Sequence, residues 1–111
     1  MPRLPNGDRA VVDPRKLIDY CLSATHPVGK HKARLFASAI GITPDEWGLL
    51  HSALLKAAQE GDAVGTDRSP YGQKYEIRFP MLAKDGRTAT LLSVWIIGSD
   101  EIPRLVTCYP L

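Results

Sequence analysis

The chain has 111 residues, of which 44% are hydrophobic and 23% are charged, and this composition is typical of one globular domain over residues 1–111 rather than of a disordered chain. No apolar run approaches the roughly 20 residues that a membrane-spanning helix needs, and the first residues lack the apolar segment of a secretory signal, so we expect a cytoplasmic protein that does not bind membranes. The net charge of +2 is too small to indicate a partner. The two cysteines form neither a CxxC motif nor a Cys/His cluster, so we predict buried reduced thiols rather than a zinc site.

The first half of the chain carries the signals of three helices. Residues 1–13, with two prolines and a glycine, are predicted to form an irregular arm, and residues 14–61 the helical half. Capping residues begin each helix and glycines end two of them. The first helix is predicted to begin at Asp13-Pro14 and to end near Leu22. The second follows His26-Pro27-Val28-Gly29 and ends at Gly41, and the third begins at Thr43-Pro44-Asp45-Glu46 and ends at Gly61.

Residues 62–111 change to the two-residue period that is typical of strands. Asp85-Gly86 is a hairpin turn signal, and Pro80 should mark a bulge or an edge. The third strand is apolar on both faces toward its end, so we expect it to be central. The order of elements predicts an α+β fold, with three N-terminal helices packed on one face of a C-terminal four-stranded antiparallel sheet. The predicted strands are a short one near Ala63–Thr66, Lys74–Phe79, Arg87–Ile97 and Arg104–Tyr109.

The stretch Thr25–Arg34 holds the densest set of chemically active side chains. Two imidazoles and three cations lie within it, and residues 14–40 carry five basic side chains against Asp19 alone. A helix that starts near Pro27 would offer free backbone N–H groups and a positive dipole end, while Gly29 would let a ligand approach, which together favour a phosphate site. The ordinary alternative is a solvated helix face with His26 as a simple N-cap.

The last strand is the second candidate region. Strict alternation predicts that Arg104, Val106 and Cys108 point to one side of the sheet, and that Leu105, Thr107 and Tyr109 point to the other. Thr and Tyr are also good strand formers, so ordinary sheet packing is the alternative interpretation. No nucleophile elbow, zinc-protease motif or phosphate-binding loop is present in the sequence.

Several segments together resemble an uncharacterised bacterial family of short stand-alone proteins. They also resemble the C-terminal toxin modules of contact-dependent inhibition and other polymorphic toxin systems. The pattern covers most of the chain from Leu4 to Pro110, and its most specific piece is the HPxGxxKAxxF run from His26 to Phe36. The segments are Leu4-Pro5-Asn6 with Asp8-Arg9-Ala10, Lys16-Leu17 through Tyr20-Cys21-Leu22, His26 to Phe36, Trp95-Ile96-Ile97 and Arg104 to Pro110.

Those toxin modules are similar to the ribonuclease fold group that includes barnase, EndoU, the tRNA-cutting colicins and RelE. The resemblance implies N-terminal helices on a four-stranded antiparallel sheet, in agreement with the order of elements derived above. It reaches His26 and Lys32 in the helical half and Arg104, Thr107 and Tyr109 in the last strand. Cys108 stands where the pattern would have a small residue such as alanine.

The leading hypothesis is a metal-independent endoribonuclease that needs no cofactor. It would be a toxin acting on RNA, with tRNA among the candidate targets, and a small cognate antitoxin or immunity protein would neutralise it. RNA carries its own nucleophile, so such an enzyme needs an acid, a base and cations. The proposed catalytic residues are His26, His31, Lys32, Thr107 and Tyr109, and the proposed RNA-binding residues are Lys30, Arg34 and Arg104.

Two other hypotheses remain open at this stage. One is a non-catalytic protein-binding module, either an inhibitor or the partner of a neighbouring small protein, with the basic helix as its docking face. The other is a nucleic-acid binder that retains RNA in a salt-sensitive way without cutting it.

Overall fold

The first half of the chain is helical and the second half forms a sheet in the computed structural model, which describes residues 2–111. This arrangement confirms the predicted α+β class, with three helices ahead of four strands. Single 3₁₀ turns, Gly7–Arg9 and Pro44–Glu46, precede the first and third helices. We call α1 and the π-helical segment that continues it the first helix. The elements are α1 (Pro14–Lys16) with its π-helical continuation (Leu17–Cys21), α2 (Lys30–Ile40), α3 (Trp47–Glu60), β1 (Ala63–Ser69), β2 (Gly72–Leu82), β3 (Thr88–Ile97) and β4 (Pro103–Pro110).

The predicted caps set the helix boundaries. The side chain of Asp13 accepts a hydrogen bond from the backbone N–H of Arg15 at 3.0 Å, so it caps the first helix. The backbone N–H of Thr43 donates to the Glu46 carboxylate at 3.4 Å, as in a capping box. Gly41 ends α2 in the left-handed conformation, at φ 65°. Local sequence therefore sets the starts of the first and third helices and the end of α2.

The sheet is an antiparallel meander in the order β1-β2-β3-β4, so the expectation of a central third strand is confirmed. β1 extends to Ser69 and is therefore longer than predicted. β1 pairs with β2 only as far as the Ala63–Ile77 pair, and Pro80 lies beyond that point while still opposite Thr90 of β3. Pro80 therefore marks an edge of the sheet. No strand lies beside it on that side, so a backbone N–H is not needed there for a hydrogen bond between strands.

The helices cover one face of the sheet and bury its apolar side chains. Phe36 of α2 and Trp95 of β3 are fully buried there. The Trp95 indole donates at 2.9 Å to the Ser93 hydroxyl, which in turn donates at 3.0 Å to the Ile77 carbonyl, so the polar atoms of these two buried side chains are paired. None of the helices within residues 2–111 is both long and apolar enough to cross a membrane.

A bulge in β4 corrects the predicted alternation of its side chains. Thr107 lies opposite Val94 and Leu105 lies opposite Trp95, so Val106 is an extra residue without a partner. Because of this extra residue, Leu105 and Cys108 are both buried, against the prediction that they point to opposite sides. Directly opposite residues share a face. Arg104, Thr107 and Tyr109 all pair with alternate residues of β3, so they lie on the same side of β4 as one another.

The start of α2 packs against the first helix at Gly29. A Cβ at Gly29 would lie 2.0 Å from the Tyr20 carbonyl oxygen, so this glycine is required for helix contact and not, as the sequence suggested, for the approach of a ligand. We expect Gly29→Ala to lower the free energy of unfolding by about 1–3 kcal/mol, measured by urea denaturation.

Gly48 provides a control of opposite sign. A Cβ there would meet no atom within 4 Å, so Gly48→Ala in α3 should raise the free energy of unfolding by about 0.5–1 kcal/mol. Equal stability of the Gly29→Ala variant and the wild type would contradict this close contact.

Candidate active site at the edge of the sheet

A groove of about 600 Å³ lies where the first helix and the turn before α2 meet β4. We call it the β4 groove. It contains His26 and Thr107, which are 81 positions apart in the sequence and were both predicted as site residues. Its lining carries charges of both signs together with aromatic and hydroxyl groups. The lining residues are Asp13, Arg15, Lys16, Asp19, Tyr20, His26, Val106 and Thr107.

Lys32 joins the first helix to β4 beside this groove. Its ammonium nitrogen donates to the Tyr20 hydroxyl at 3.0 Å and lies 5.0 Å from the centre of the Tyr20 ring. The same nitrogen lies 5.7 Å from the centre of the Tyr109 ring. Lys32 is half-buried, so both contacts are partly shielded from water. The structure therefore brings Lys32 and Tyr109 together with the two residues of the groove.

His26 acts as a cap at the start of the turn that leads into α2. Its Nδ1 accepts hydrogen bonds from the backbone N–H groups of Val28 at 3.0 Å and Gly29 at 2.9 Å, and its carbonyl accepts from the N–H of Lys30. These N–H groups are the ones that an anion at the helix start would have used. Because Nδ1 is the acceptor, the neutral ring carries its proton on Nε2.

Tyr20 is the functional candidate that sequence reasoning missed. Its ring meets the His26 ring edge to face, with 4.9 Å between centroids, and its hydroxyl binds Lys32. The ammonium of Lys16, one helical turn earlier, lies 5.9 Å from its ring centre. Tyr20 also lies in a π-helical segment, a feature found frequently at functional sites. The available signal was a tyrosine four residues after a lysine, beside the apolar stripe of the helix.

The Thr107 hydroxyl is a polar group that lacks a partner. Its oxygen is buried and makes no hydrogen bond within residues 2–111. Buried hydroxyls are nearly always paired, because desolvation without a hydrogen bond costs free energy. Thr107 lines the β4 groove, and its side chain also lies beside the Cys21 thiol, whose pKa it helps to lower.

The two cysteines, each next in sequence to a groove residue, pack against each other. Both are fully buried and free, and the Cys108 thiol donates to the Cys21 sulfur at 3.8 Å. This hydrogen bond lowers the pKa of Cys21 to about 7, with help from the charge of Lys32 and against the effect of burial. The same hydrogen bond and burial raise the pKa of Cys108 well above its ordinary value. The pairing explains how Cys108 is accommodated where a smaller residue was expected.

Four of the predicted site residues lie outside this cluster or are held by another group. His31 is exposed on α2. Lys30 and Arg34 line a separate cavity of about 310 Å³ between α2 and the segment after it, on the side of the helix away from Lys32. Arg104 shares a sheet face with Thr107 and Tyr109, but its guanidinium is paired with Asp100 at 2.6 Å.

The described part of the chain contains no cluster of side chains that could bind a metal ion. Within residues 2–111, no three His, Cys, Asp or Glu side chains are grouped closely enough to hold an ion. The side chains that the groove does offer are hydrogen-bond donors, carboxylates and cations. Side chains of these types can transfer protons and stabilise charge.

Comparison with known proteins identifies the family of this chain. Residues 3–111 match the family described as Domain of unknown function (DUF6883), and the chain belongs to that family. No curated protein matches it in sequence. Among solved structures, the chain is similar to one chain of a contact-dependent growth inhibition toxin–immunity protein complex from Klebsiella pneumoniae 342. The TM-score is 0.74 at 17% identity, and the similarity covers 92% of this chain and 100% of the other. At this identity, the similarity shows a shared fold.

Proposed function

We propose that this protein is a metal-independent endoribonuclease toxin whose active site is the β4 groove. The observation that carries the proposal is the convergence of Tyr20, His26 and Lys32 with Thr107 and Tyr109 on one edge of the sheet. The fold shared with one chain of a toxin–immunity protein complex supports a toxin or immunity role. Of these two we propose the toxin, with a small cognate immunity protein as its partner. RNA in the cytoplasm, with tRNA among the candidates, is the proposed substrate.

Charge stabilisation is the first task that the groove residues would perform, together with Lys32 and Tyr109 beside the groove. Attack of a 2′-OH on the adjacent phosphorus places extra negative charge on the phosphoryl oxygens. In this proposal the ammonium of Lys32 opposes that charge, while the Nε2–H of His26 and the unpaired Thr107 hydroxyl donate hydrogen bonds to it. The Tyr109 ring offers a surface on which a base can stack. These donors are fixed by the fold before substrate binds, so little reorganisation is needed during the reaction.

Proton transfer is the second task. Tyr20 is proposed to give its proton to the departing 5′-oxygen, because the Lys32 ammonium 3.0 Å away stabilises the negative charge left on the phenol oxygen. Asp19 lines the groove and forms no salt bridge within residues 2–111, so its carboxylate is available to accept the proton of the 2′-OH. Breakage of the chain would leave a 2′,3′-cyclic phosphate and a 5′-hydroxyl.

The test of this activity is cleavage of total tRNA in EDTA, with matched histidine variants. His26→Asn keeps a side-chain oxygen that can accept the two backbone N–H groups and so preserve the cap, but it removes the Nε2 donor. We expect the wild type to form cyclic phosphate ends, His26→Asn to be slower by roughly 10²–10³-fold, and His31→Asn to be unchanged.

Two results would contradict this assignment in different ways. Intact tRNA after incubation with the wild type would overturn the ribonuclease activity. Equal cleavage by the wild type and His26→Asn would remove His26 from the site while leaving the activity in place. Circular dichroism of both variants checks that the fold is retained.

A non-catalytic binding module is the second candidate. It is favoured because the main polar groups of the groove region already have partners within the protein: His26 caps a turn and Lys32 binds Tyr20. On this interpretation, groups that are paired in this way serve the fold without any role in catalysis. Growth arrest on induction in a host would support the toxin. Harmless expression, together with a tight complex with a small protein, would support the module. Salt-sensitive retention of RNA without products would support a binder that does not cut.

A further inference from the structure

The buried thiol pair joins two parts of the fold that are far apart in the sequence. Cys21 ends the first helix, Cys108 lies in β4, and 87 positions separate them. They are the only cysteines of the chain, and neither has exposed surface. Their sulfur atoms are 3.8 Å apart, whereas a disulfide requires about 2.05 Å. A shift of less than 2 Å between the first helix and β4 would therefore close the bond.

The surroundings of the pair favour a reactive thiolate at one of the two positions. The Cys108 thiol donates to the Cys21 sulfur, and the charge of Lys32 also favours the thiolate of Cys21. Cys108 keeps its proton, because the same hydrogen bond and burial disfavour its charged form. One cysteine is thus prepared as the nucleophile, and the other is in position to resolve the product. Both thiols are fully buried, so oxidation requires a local opening of the fold that admits an oxidant as small as hydrogen peroxide.

We propose that Cys21 and Cys108 form a peroxide-oxidisable dithiol that closes to an intramolecular disulfide between the first helix and β4. In the first step the Cys21 thiolate attacks one oxygen of hydrogen peroxide, a sulfur–oxygen bond forms, the oxygen–oxygen bond breaks, and hydroxide leaves. Cys21 is then a sulfenic acid. A proton from solvent converts the hydroxide to water.

In the second step the sulfur of Cys108 attacks the sulfur of the Cys21 sulfenic acid. The sulfur–sulfur bond forms, the sulfur–oxygen bond breaks, and the departing hydroxide takes the Cys108 proton as water. Two thiols are oxidised by two electrons, and one peroxide is reduced to two waters. A dithiol reductant reverses the change by exchange.

The disulfide would alter the β4 groove, because each cysteine is next to a groove residue. Tyr20 precedes Cys21, and Cys108 lies between Thr107 and Tyr109. Drawing the sulfurs together moves these side chains toward one another. This consequence rests on the proposed function, whereas formation of the disulfide does not. If the groove cleaves RNA, we expect oxidation to slow cleavage by about 10²-fold, since displacements near 1 Å can cost that much.

In the test, dilute protein is treated with hydrogen peroxide, the peroxide is removed with catalase, and the protein is denatured and alkylated with iodoacetamide. Its intact mass is then measured and its peptides are mapped. We expect the number of alkylated thiols to fall from two to none. The intact mass should be lower than that of the untreated, unalkylated protein by two hydrogens. Oxygen added to methionine would raise the mass, and the peptide map identifies that oxidation separately. A peptide linking Cys21 to Cys108 should appear and should disappear with dithiothreitol.

Two variants sharpen the result. Cys108→Ala removes the resolving thiol, so peroxide should leave a sulfenic acid at Cys21 that dimedone captures. Cys21→Ala should make cleavage insensitive to peroxide. Two thiols that still alkylate fully after peroxide, added oxygen on each cysteine without a link, or a link between two chains would overturn the proposal. The wild-type measurement decides this even if a variant does not fold or the protein does not cleave RNA.

Discussion

Lys32→Met is expected to reduce the rate of RNA cleavage by roughly 10²–10³-fold. Methionine keeps an unbranched chain of similar length but removes the ammonium that contacts both Tyr20 and Tyr109. In the proposed mechanism this charge acts mainly on the transition state, so the loss should appear in kcat. Single-turnover cleavage of labelled tRNA at saturating enzyme measures it directly.

Lys30→Met is the matched control for Lys32→Met. Both variants lose one positive charge from α2, but Lys30 lines the separate cavity on the other side of the helix. We expect Lys30→Met to raise KM modestly, in a salt-dependent way, and to leave kcat unchanged, because it would affect only long-range attraction of RNA. Equal losses of kcat in the two variants would show that Lys32 contributes general charge rather than chemistry at the groove.

The helices were predictable because their signals are local. Asp13, Thr43 and Gly41 act on backbone groups only a few residues away, so the sequence around each one is sufficient to identify its role. The bulge at Val106 was not predictable, since it depends on how β4 pairs with β3. A single extra residue there reverses the alternation, which is why Leu105 and Cys108 share the buried face against the prediction.

The candidate site was only partly predictable for the same reason. The resemblance indicated His26, Lys32, Arg104, Thr107 and Tyr109. The structure brings four of these five together and pairs Arg104 with Asp100 instead. Helical spacing alone separates Lys30 from Lys32, because residues two apart point to different sides of a helix. The local sequence of Tyr20 indicates only its contact with Lys16, one helical turn earlier. Its contacts with Lys32 and His26 arise only when the first helix packs on the start of α2.

Tyr20→Phe is expected to slow cleavage by roughly 10²–10⁴-fold, the range for loss of one acid–base group. Phenylalanine keeps the ring that meets His26 edge to face and removes only the hydroxyl that binds Lys32. The variant should therefore fold, and urea denaturation should show a small change in stability. Cleavage of total tRNA under single-turnover conditions, beside Tyr71→Phe at an exposed tyrosine, measures the loss.

The double variant Tyr20→Phe/Lys32→Met tests whether the two side chains act as one unit. If Lys32 works by stabilising charge on the Tyr20 oxygen, removing both should cost little more than the more damaging single change, because residues that cooperate in one step are not additive. Losses that multiply would mean that Lys32 acts on the phosphate independently of Tyr20. The proton for the departing oxygen would then come from another group, and the 3.0 Å contact would have only a structural role.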